Sequence, residues 1–434
     1  MSQNGSTRRD FMKHSSAAVT TAAIAAQLGV ASRAFAAGSD EIKVGLIGCG
    51  GRGSGAADQA LSTEGKVKMV ALADAFEDRL KGTLGGMQKS HKDKVAVKPD
   101  DCYVGFDAYK KLIDRSDVDL VILATPPGFR PIHFEYAVSK GKHVFMEKPV
   151  AVDAVGVRQV LAAAEEAKKK NLKVGVGLQR HHQQNYIETV AKIQEGYIGK
   201  VIAMRVYWNN GGVWVRPRQP GQSEMEYQMR NWYYFNWLCG DHITEQHIHN
   251  LDVANWVMND HPVVAHGMGG REVRKGKDYG EIYDHHAVEF TYKDGTKLFS
   301  QCRHIRGCRN EVAEHVHGEK GAGNISGSLQ LYGQKDVWRP KGGKNPYQQE
   351  HDDLFAAIRN DKPFNEAVYG AHSSMTSVLG RMCTYSGQEI KWDDAINSKV
   401  SLMPKNFAFD AEAPVLPDKD GNYPIAVPGQ SKVV

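Results

Sequence analysis

The chain has 434 residues, a formal net charge of +5, 41% hydrophobic residues and 24% charged residues, as is typical of a soluble globular protein with two domains. The first 36 residues carry four basic residues and one acidic residue, so the rest of the chain is nearly neutral. This balance excludes a strongly basic surface, and we predict no binding to nucleic acid and, once a leader is removed, none to a membrane. The six cysteines form no C-x-x-C pair, and their spacing requires no disulfide.

Residues 1–36 resemble a twin-arginine export signal. The pair Arg8-Arg9 precedes an alanine-rich stretch, and Ala34-Phe35-Ala36 then fits a small-x-small cleavage site. A disordered basic leader and a membrane anchor are the alternatives, although Ser15–Val30 is short and polar for a membrane span. Because this route exports folded proteins, we predict a periplasmic or otherwise exported protein that carries its cofactor with it.

A glycine-rich loop follows the first predicted strand, Lys43–Ile47. Gly48, Gly50 and Gly53 have the spacing G-x-G-x-x-G, and Asp74 ends the next predicted strand. In such a unit the glycines permit a tight turn and the close approach of a pyrophosphate to the N-terminus of the following helix. The pattern therefore predicts a dinucleotide site, and the alternative is a glycine-rich turn without a ligand.

Asp74 also indicates which dinucleotide binds. A carboxylate at this position accepts hydrogen bonds from both ribose hydroxyls of NAD but repels the 2′-phosphate of NADP. Glu77 and Asp78 add negative charge, and in the sequence only Arg79 lies close enough to offset it. The sequence predicts NAD.

The remaining pattern divides the chain after its leader into two domains and a tail. Strands and helices alternate from Lys43 to Pro149, which predicts an α/β Rossmann domain with a doubly wound parallel sheet at residues 40–155. Beyond Lys200, longer strands joined by glycine-rich turns predict an α+β substrate domain with a large open, mostly antiparallel sheet at residues 156–400. Residues 401–434 are predicted to form an extended tail.

With ATPP at 124–127, EKP at 147–149 and H-x-x-D at His249–Asp252 in this order, the chain resembles the Gfo/Idh/MocA superfamily (glucose–fructose oxidoreductase / inositol dehydrogenase). The resemblance implies an enzyme that acts on a carbohydrate with a nicotinamide cofactor, commonly as a homo-oligomer. It implies Lys148, His249 and Glu245 as catalytic residues, with Glu245 standing where the family commonly has Asp. The cofactor-binding residues it implies are Gly48, Gly50, Gly51, Arg52, Gly53, Asp74, Thr125, Pro126, His133, Glu147 and Lys148.

The catalytic assignment agrees with the chemistry of alcohol oxidation. A carbinol carbon becomes a carbonyl only if its hydroxyl proton also leaves, so a base of near-neutral pKa must contact that oxygen. His249 fits this role. The positive charge of oxidised nicotinamide disfavours the ammonium form of Lys148, which can therefore share the proton.

The spacing of His242, Glu245, His249 and Asp252 predicts that the four residues share one helix face. We interpret this face as an acid–base relay around a sugar. A metal site built from its two histidines and the glutamate is one alternative, and a hydrogen-bonded polar face is the other. The family requires no metal, and we predict none.

Two segments supply candidate substrate contacts. Arg180, His181 and His182 follow the predicted strand Val174–Gly177, where the family often binds substrate. The segment Tyr207–Trp237 is rich in aromatic residues, whose faces suit a pyranose ring but also suit packing against a sheet. From these and from the polar helix face, the predicted substrate residues are Arg180, His181, His182, Trp232 and His242.

Three functions remain open from the sequence. The first is an NAD-dependent oxidoreductase that acts on a CH–OH group of a sugar, polyol or glycoside. An exported enzyme has no NAD pool at its destination, so we expect its cofactor to be tightly bound and recycled. The second is an NAD-dependent glycoside hydrolase that works by transient oxidation and elimination. The third is a non-catalytic sugar-binding sensor.

Overall fold

The first sheet is a parallel sheet of six strands in the order β3-β2-β1-β4-β5-β6. The computed structural model describes residues 41–434, so the predicted signal at residues 1–36 lies outside the described residues. The strands of this sheet are β1 (Glu41–Ile47), β2 (Lys66–Asp74), β3 (Cys102–Val104), β4 (Leu120–Leu123), β5 (His143–Met146) and β6 (Val174–Val176). The predicted doubly wound parallel sheet is confirmed.

Helices on both faces explain why the central strands are so apolar. Every residue of β4 is buried, as expected for a strand that contacts helices above and below. Those helices include α1 (Gly51–Leu61), α2 (Glu77–Ser90), α3 (Ala108–Ile113), α4 (Arg130–Ser139) and α5 (Ala154–Lys169). Because the strands are parallel, their carboxyl ends meet at one edge, where ligands bind in open α/β sheets. The sheet includes β6 and so extends past the boundary predicted at residue 155.

The second sheet has nine strands in the order β14-β13-β12-β11-β7-β10-β9-β8-β15. Only β7 and β10 pair in parallel, so the prediction of a mostly antiparallel sheet is confirmed. The strands are β7 (Val201–Asn210), β8 (Val264–Gly270), β9 (His285–Thr291), β10 (Lys297–His304), β11 (Glu311–Gly318), β12 (Gly321–Asn324), β13 (Ser328–Leu331), β14 (Val337–Trp338) and β15 (Ile390–Lys391).

Helices cover one face of this second sheet. The helices after β6 are α6 (Gln184–Gln194), α7 (Glu224–Arg230), α8 (Asn236–Cys239), α9 (His242–Glu245), α10 (Ile248–Met258), α11 (Pro346–Arg359), α12 (Ala367–Ser386) and α13 (Trp392–Ile396). Of these, α9, α10 and α12 contact the second sheet, whereas α11 contacts β6 and α1 of the first domain. The long helix α12 is almost wholly buried between this sheet and α5. The tail from Leu402 onward contains no helix or strand, as predicted. None of the described helices is both long and apolar enough to cross a membrane.

Candidate active site

A cleft of about 630 Å³ lies at the carboxyl edge of the parallel sheet, with walls from both domains. Its lining includes most of the residues that the sequence selects. These are Gly48, Gly50, Gly51, Arg52, Asp74, Thr125, Pro126, His133, Glu147, Lys148, Trp232, Glu245 and His249. The predicted cofactor and catalytic residues therefore converge on one cavity, with Gly53 directly behind it.

The glycine loop has space for a ligand on one side only. A Cβ at Gly53 would lie 1.9 Å from the carbonyl oxygen of Gly48, and Gly48 itself has φ +99°. A Cβ at Gly50 or Gly51 would meet no atom of the described part of the chain within 4 Å. Helix α1 begins at Gly51 without a side-chain cap, so its first N–H groups face this space. The loop thus fits a pyrophosphate.

Asp74 lies at the end of β2 beside the loop. Its Oδ2 accepts a hydrogen bond from the Cys49 backbone N–H at 2.6 Å, and its Oδ1 accepts one from Phe76 at 2.8 Å. Burial raises the pKa of Asp74, although these two hydrogen bonds act in the opposite direction. The carboxylate is therefore held in place at the position where the adenosine ribose of a dinucleotide lies.

The charge around Asp74 differs from the prediction that only Arg79 would offset it. Arg216 and Arg230, from the second domain, line the same end of the cleft as Arg79. Arg230 Nη1 lies 2.8 Å from Asp78 Oδ2, so part of the predicted negative charge is already paired. The long sequence separation of these arginines from Asp74 hid them from sequence reasoning.

The turn after β4 and the EKP motif are held by arginines. Arg130 donates to the Thr125 carbonyl oxygen at 2.8 Å, which shapes the turn beneath Pro126. Burial, and then the charge of Arg130, lower the pKa of His133 to about 3, so this ring is neutral. The guanidinium of Arg52 forms an ion pair with Glu147. Arg52 therefore lies between the glycine loop and the strand that carries Lys148.

Lys148 forms two contacts with Glu245. Its Nζ donates to the backbone carbonyl oxygen of Glu245 at 2.6 Å and to Oε1 at 3.1 Å. Both side chains are only 12% exposed. Because charge-assisted hydrogen bonds are strong at a buried site, this pair fixes the ammonium in the cleft. Glu245, the residue at the position where the family commonly has Asp, is thus the partner of the predicted catalytic lysine.

His249 is buried in the cleft wall and is suited to accept a proton. Its ring lies 5.9 Å from the Trp208 ring, nearly parallel to it, and its buried Nδ1 has no hydrogen-bond partner among the described residues. Burial, and then the positive charge of Lys148, lower its pKa well below the ordinary 6.5. The imidazole is therefore neutral at pH 7 and has a ring nitrogen available as a base.

The lowered pKa of His249 predicts the acid side of the pH profile. Because a base must be neutral and this pKa is depressed, the active form is present at pH 6.5 and above. We expect kcat/KM for substrate oxidation to remain constant as the pH falls to 6.5 and to decrease only below it. Initial rates across buffers of constant ionic strength measure this. An acid limb centred at or above pH 6.5 would contradict the assignment.

The prediction of one continuous helix face is wrong. The helix is interrupted, so that α9 ends at Glu245 and α10 begins at Ile248. In an unbroken helix the Glu245 carbonyl would accept the His249 N–H, but here it accepts Lys148 Nζ. The interruption directs Glu245 and His249 into the cleft, whereas His242 and Asp252 lie outside its lining.

His242, a predicted substrate residue, belongs to a buried cluster behind the cleft. Among the described residues, Asp241, His242 and His286 are the one group whose ligand atoms lie close enough to hold a metal ion. Asp241 Oδ1 already accepts from His242 Nδ1 at 2.7 Å, and Oδ2 accepts from Tyr385 Oη at 2.6 Å and the Tyr283 N–H at 2.9 Å. Both oxygens of the Asp241 carboxylate therefore already accept hydrogen bonds within the protein, and these bonds hold the start of α9 in place.

The predicted substrate residues Arg180, His181 and His182 also lie outside the cleft lining. Arg180 forms a buried ion pair with Glu314. The ring of His181 lies between Trp256 and Tyr369, with ring centroids 4.2 Å away on each side. Their neighbour Gln179, which the sequence reasoning missed, does line the cleft.

His182 is held by two carboxylates. Its Nδ1 lies 2.6 Å from Asp353 Oδ2, and its Nε2 lies 3.0 Å from Glu366 Oε1. Burial alone would lower the pKa of His182, but these hydrogen bonds raise it to about 10. A charged histidine with both ring nitrogens engaged supports the fold rather than a substrate.

Other cleft residues come from the aromatic segment. Trp208, Trp214 and Trp232 line the wall, and the rings of Trp214 and Trp232 lie 5.8 Å apart. Trp232 is one of the predicted substrate residues. Trp208 and Trp214 belong to the aromatic-rich segment Tyr207–Trp237, which the sequence analysis indicates only as a whole. Gln246, Met229 and Tyr347 also contribute, and no sequence pattern marked them.

Comparison with known families agrees with this geometry. Residues 42–177 match the family model described as "Oxidoreductase family, NAD-binding Rossmann fold". Residues 186–323 match the GFO/IDH/MocA C-terminal domain. Together the two matches cover more than half of the chain. The protein belongs to the Gfo/Idh/MocA family of NAD-binding oxidoreductases, and the predicted resemblance is confirmed.

Individual relatives are more distant. The chain is 24% identical over 282 residues to an inositol 2-dehydrogenase of Rhizobium meliloti (strain 1021), covering 65% of this chain and 74% of the relative. It is 29% identical over 184 residues to glycosyl hydrolase family 109 protein 1 of Bacteroides fragilis (strain YCH46), covering 39% and 38%. The crystal structure of aldose-aldose oxidoreductase from Caulobacter crescentus has the same fold, with a TM-score of 0.63, 20% identity, and coverage of 81% and 99%.

Proposed function

We propose that this protein oxidises a CH–OH group of a sugar, polyol or glycoside with NAD as the acceptor. The observation that carries the proposal is the convergence of Lys148, Glu245 and His249 on the cleft that contains the glycine loop and Asp74. The similarity to an enzyme named inositol 2-dehydrogenase supports a polyhydroxylated substrate.

The residues present fit the cofactor and a proton acceptor. NAD held by the glycine loop and Asp74 would supply the acceptor for a hydride. His249, neutral because of burial and the Lys148 charge, takes the hydroxyl proton. Lys148, fixed by Glu245, donates a hydrogen bond to the reacting oxygen. The tryptophans of the wall cover the apolar face of the substrate ring and exclude water.

The proposal includes export and a retained cofactor. The twin-arginine pattern at Arg8-Arg9 supports export after folding. An exported enzyme without an NAD pool must keep its cofactor and return it to its starting redox state in each cycle. Reduction of a second substrate, or a second half-reaction on the same substrate, would reoxidise the bound cofactor and so return it to its starting redox state.

The absorbance spectrum of the purified protein tests the proposal. We expect NAD to accompany the protein through gel filtration, and a reduced-nicotinamide absorbance band to appear when the correct sugar or polyol is added. Denaturation followed by an enzymatic NAD assay gives the stoichiometry. A protein that neither binds NAD nor develops the band with any of a broad panel of sugars, polyols and glycosides would refute the proposal.

A glycoside hydrolase that uses transient oxidation is the second candidate. The similarity to glycosyl hydrolase family 109 protein 1 favours it, although that match covers only 39% of this chain. The two candidates differ in their net products. Release of an aglycone without net accumulation of reduced cofactor identifies the hydrolase, and a stable ketone product identifies the oxidoreductase.

Cofactor preference is predicted from Asp74. We expect NAD to bind at least about tenfold more tightly than NADP, because the carboxylate would face the 2′-phosphate. The substitution Asp74→Ala should reduce this preference, since Arg79, Arg216 and Arg230 remain at the same end of the cleft. Titration of both cofactors into protein stripped of bound cofactor, monitored by tryptophan fluorescence, measures the ratio. Equal affinities in the unsubstituted protein would contradict the prediction.

A further inference from the structure

The adenosine end of the cleft is bounded by residues outside the segment that matches the NAD-binding model, residues 42–177. Arg230, at the end of α7, reaches across to the first domain. Its Nη1 lies 2.8 Å from Asp78 Oδ2, and its guanidinium carbon lies 3.8 Å from the centroid of the Phe76 ring. Phe76 lies two residues after Asp74, so Arg230 covers the position beside the ribose-binding carboxylate.

The C-terminal tail contacts the same place from another direction. The ring of Phe409 lies 5.4 Å from that of Phe76 and 4.9 Å from that of Phe106. Ser223, just before α7, donates a hydrogen bond to the backbone carbonyl oxygen of Phe409. The tail is therefore attached to both domains at the rim of the cleft, where Phe76 and Phe106 are lining residues.

Arg216 is a further residue of the second domain's contribution to this end of the cleft, and it is held in place by two contacts. Its backbone N–H donates to Asn231 Oδ1 at 2.9 Å, and its guanidinium lies 4.8 Å from the centroid of the Trp214 ring. Arg79, Arg216 and Arg230 all line the cleft, and burial, and then the charges of Arg79 and Arg230, lower the pKa of Arg216. Planar guanidinium groups stack on aromatic rings and pair with phosphates, so this arrangement suits an adenosine diphosphate moiety.

We infer that Arg216 and Arg230, with Phe409 packed against the lining residues Phe76 and Phe106, form an adenosine clamp, which holds the adenosine half of NAD between the two domains. This inference rests on the proposed function. The adenosine moiety can leave only after the Arg230–Asp78 pair and the contacts of Phe76 with Arg230 and Phe409 separate. Release of the cofactor is therefore slow, and the second domain and tail retain it through many turnovers.

The rate of NADH release tests the clamp. The full-length protein is loaded with NADH, freed of excess, and mixed with a large excess of NAD while NADH fluorescence is followed. We expect Arg230→Ala and Phe409→Ala each to accelerate release on the order of tenfold, which corresponds to about 1.4 kcal/mol. The matched controls are Arg309→Ala and Phe299→Ala, which remove an exposed arginine and an exposed phenylalanine far from the cleft, and they should leave the rate unchanged.

The outcomes separate the clamp from the proposed function. Unchanged NADH release in both clamp variants would overturn the clamp while leaving NAD binding intact. A lower melting temperature without faster release would show that these contacts only join the domains, and would also overturn it. Failure of the unsubstituted protein to bind NADH would refute the proposed cofactor and the clamp together.

Discussion

Reduction of bound NAD by substrate should be slower by about 10²–10⁴-fold when Lys148 or His249 is replaced by alanine, while NAD remains bound. In the proposed mechanism His249 is the neutral base, and Lys148 holds the reacting oxygen from its fixed position against Glu245. Neither residue is part of the glycine loop that receives the pyrophosphate. The effect is expected to be large because, in the proposed mechanism, His249 is the group that takes the hydroxyl proton in the transition state.

Single-turnover absorbance measurements at saturating substrate give the reduction rate of each variant. Lys335→Ala and His266→Ala remove an exposed lysine and an exposed histidine outside the cleft, and they serve as controls. A rate close to that of the unsubstituted protein in either catalytic variant would refute its role. Loss of NAD from a variant would indicate a binding role instead.

Glu314→Ala should destabilise the protein by about 3–5 kcal/mol, because it leaves the buried Arg180 guanidinium without its partner. Glu314 is fully buried and accepts hydrogen bonds from Arg180, Asn250 and Tyr186, the last at 2.9 Å. Substrate KM should stay the same, since Arg180 lies outside the cleft lining.

Urea unfolding of Glu314→Ala, compared with the exposed control Glu389→Ala, measures this difference. Arg180→Ala should also be destabilised, because Glu314 is then the unpaired buried charge. If Arg180→Ala instead kept its stability and raised the KM, Arg180 would be a substrate residue, as the sequence predicts. The two variants therefore decide between a structural and a binding role for this arginine.

The cofactor half of the site could be predicted because its signals are local. The glycine loop follows β1, Asp74 ends β2 and Lys148 lies two residues after β5, and parallel strands bring such residues to one edge. The second sheet was predictable in type for a similar reason, since alternation along β10 places Leu298 and Ser300 inward and Phe299 outward.

The substrate half depends on contacts between residues far apart in the sequence. Arg180 pairs with Glu314, which is 134 residues away in the sequence, and Arg230 pairs with Asp78, which is 152 residues away. No spacing rule indicates such pairs, and the prediction of substrate contacts at Arg180, His181 and His182 rests instead on their position after a strand where the family often binds substrate. The break between α9 and α10 is also not predictable from the sequence, because no proline or glycine lies there. At the break the Glu245 carbonyl oxygen accepts a hydrogen bond from Lys148, a residue distant in the sequence.

The four glycines of the loop differ in what they contribute. An alanine at position 53 would clash with the Gly48 carbonyl, whereas the Cβ of an alanine at position 50 or 51 would meet no atom of residues 41–434 within 4 Å. A mutational library selected only for folded protein should therefore accept alanine at 50 and 51 and reject it at 53. A library selected for activity should reject all three. Comparing the two libraries would separate the sequence constraints imposed by folding from those imposed by the ligand, within a stretch of only a few residues.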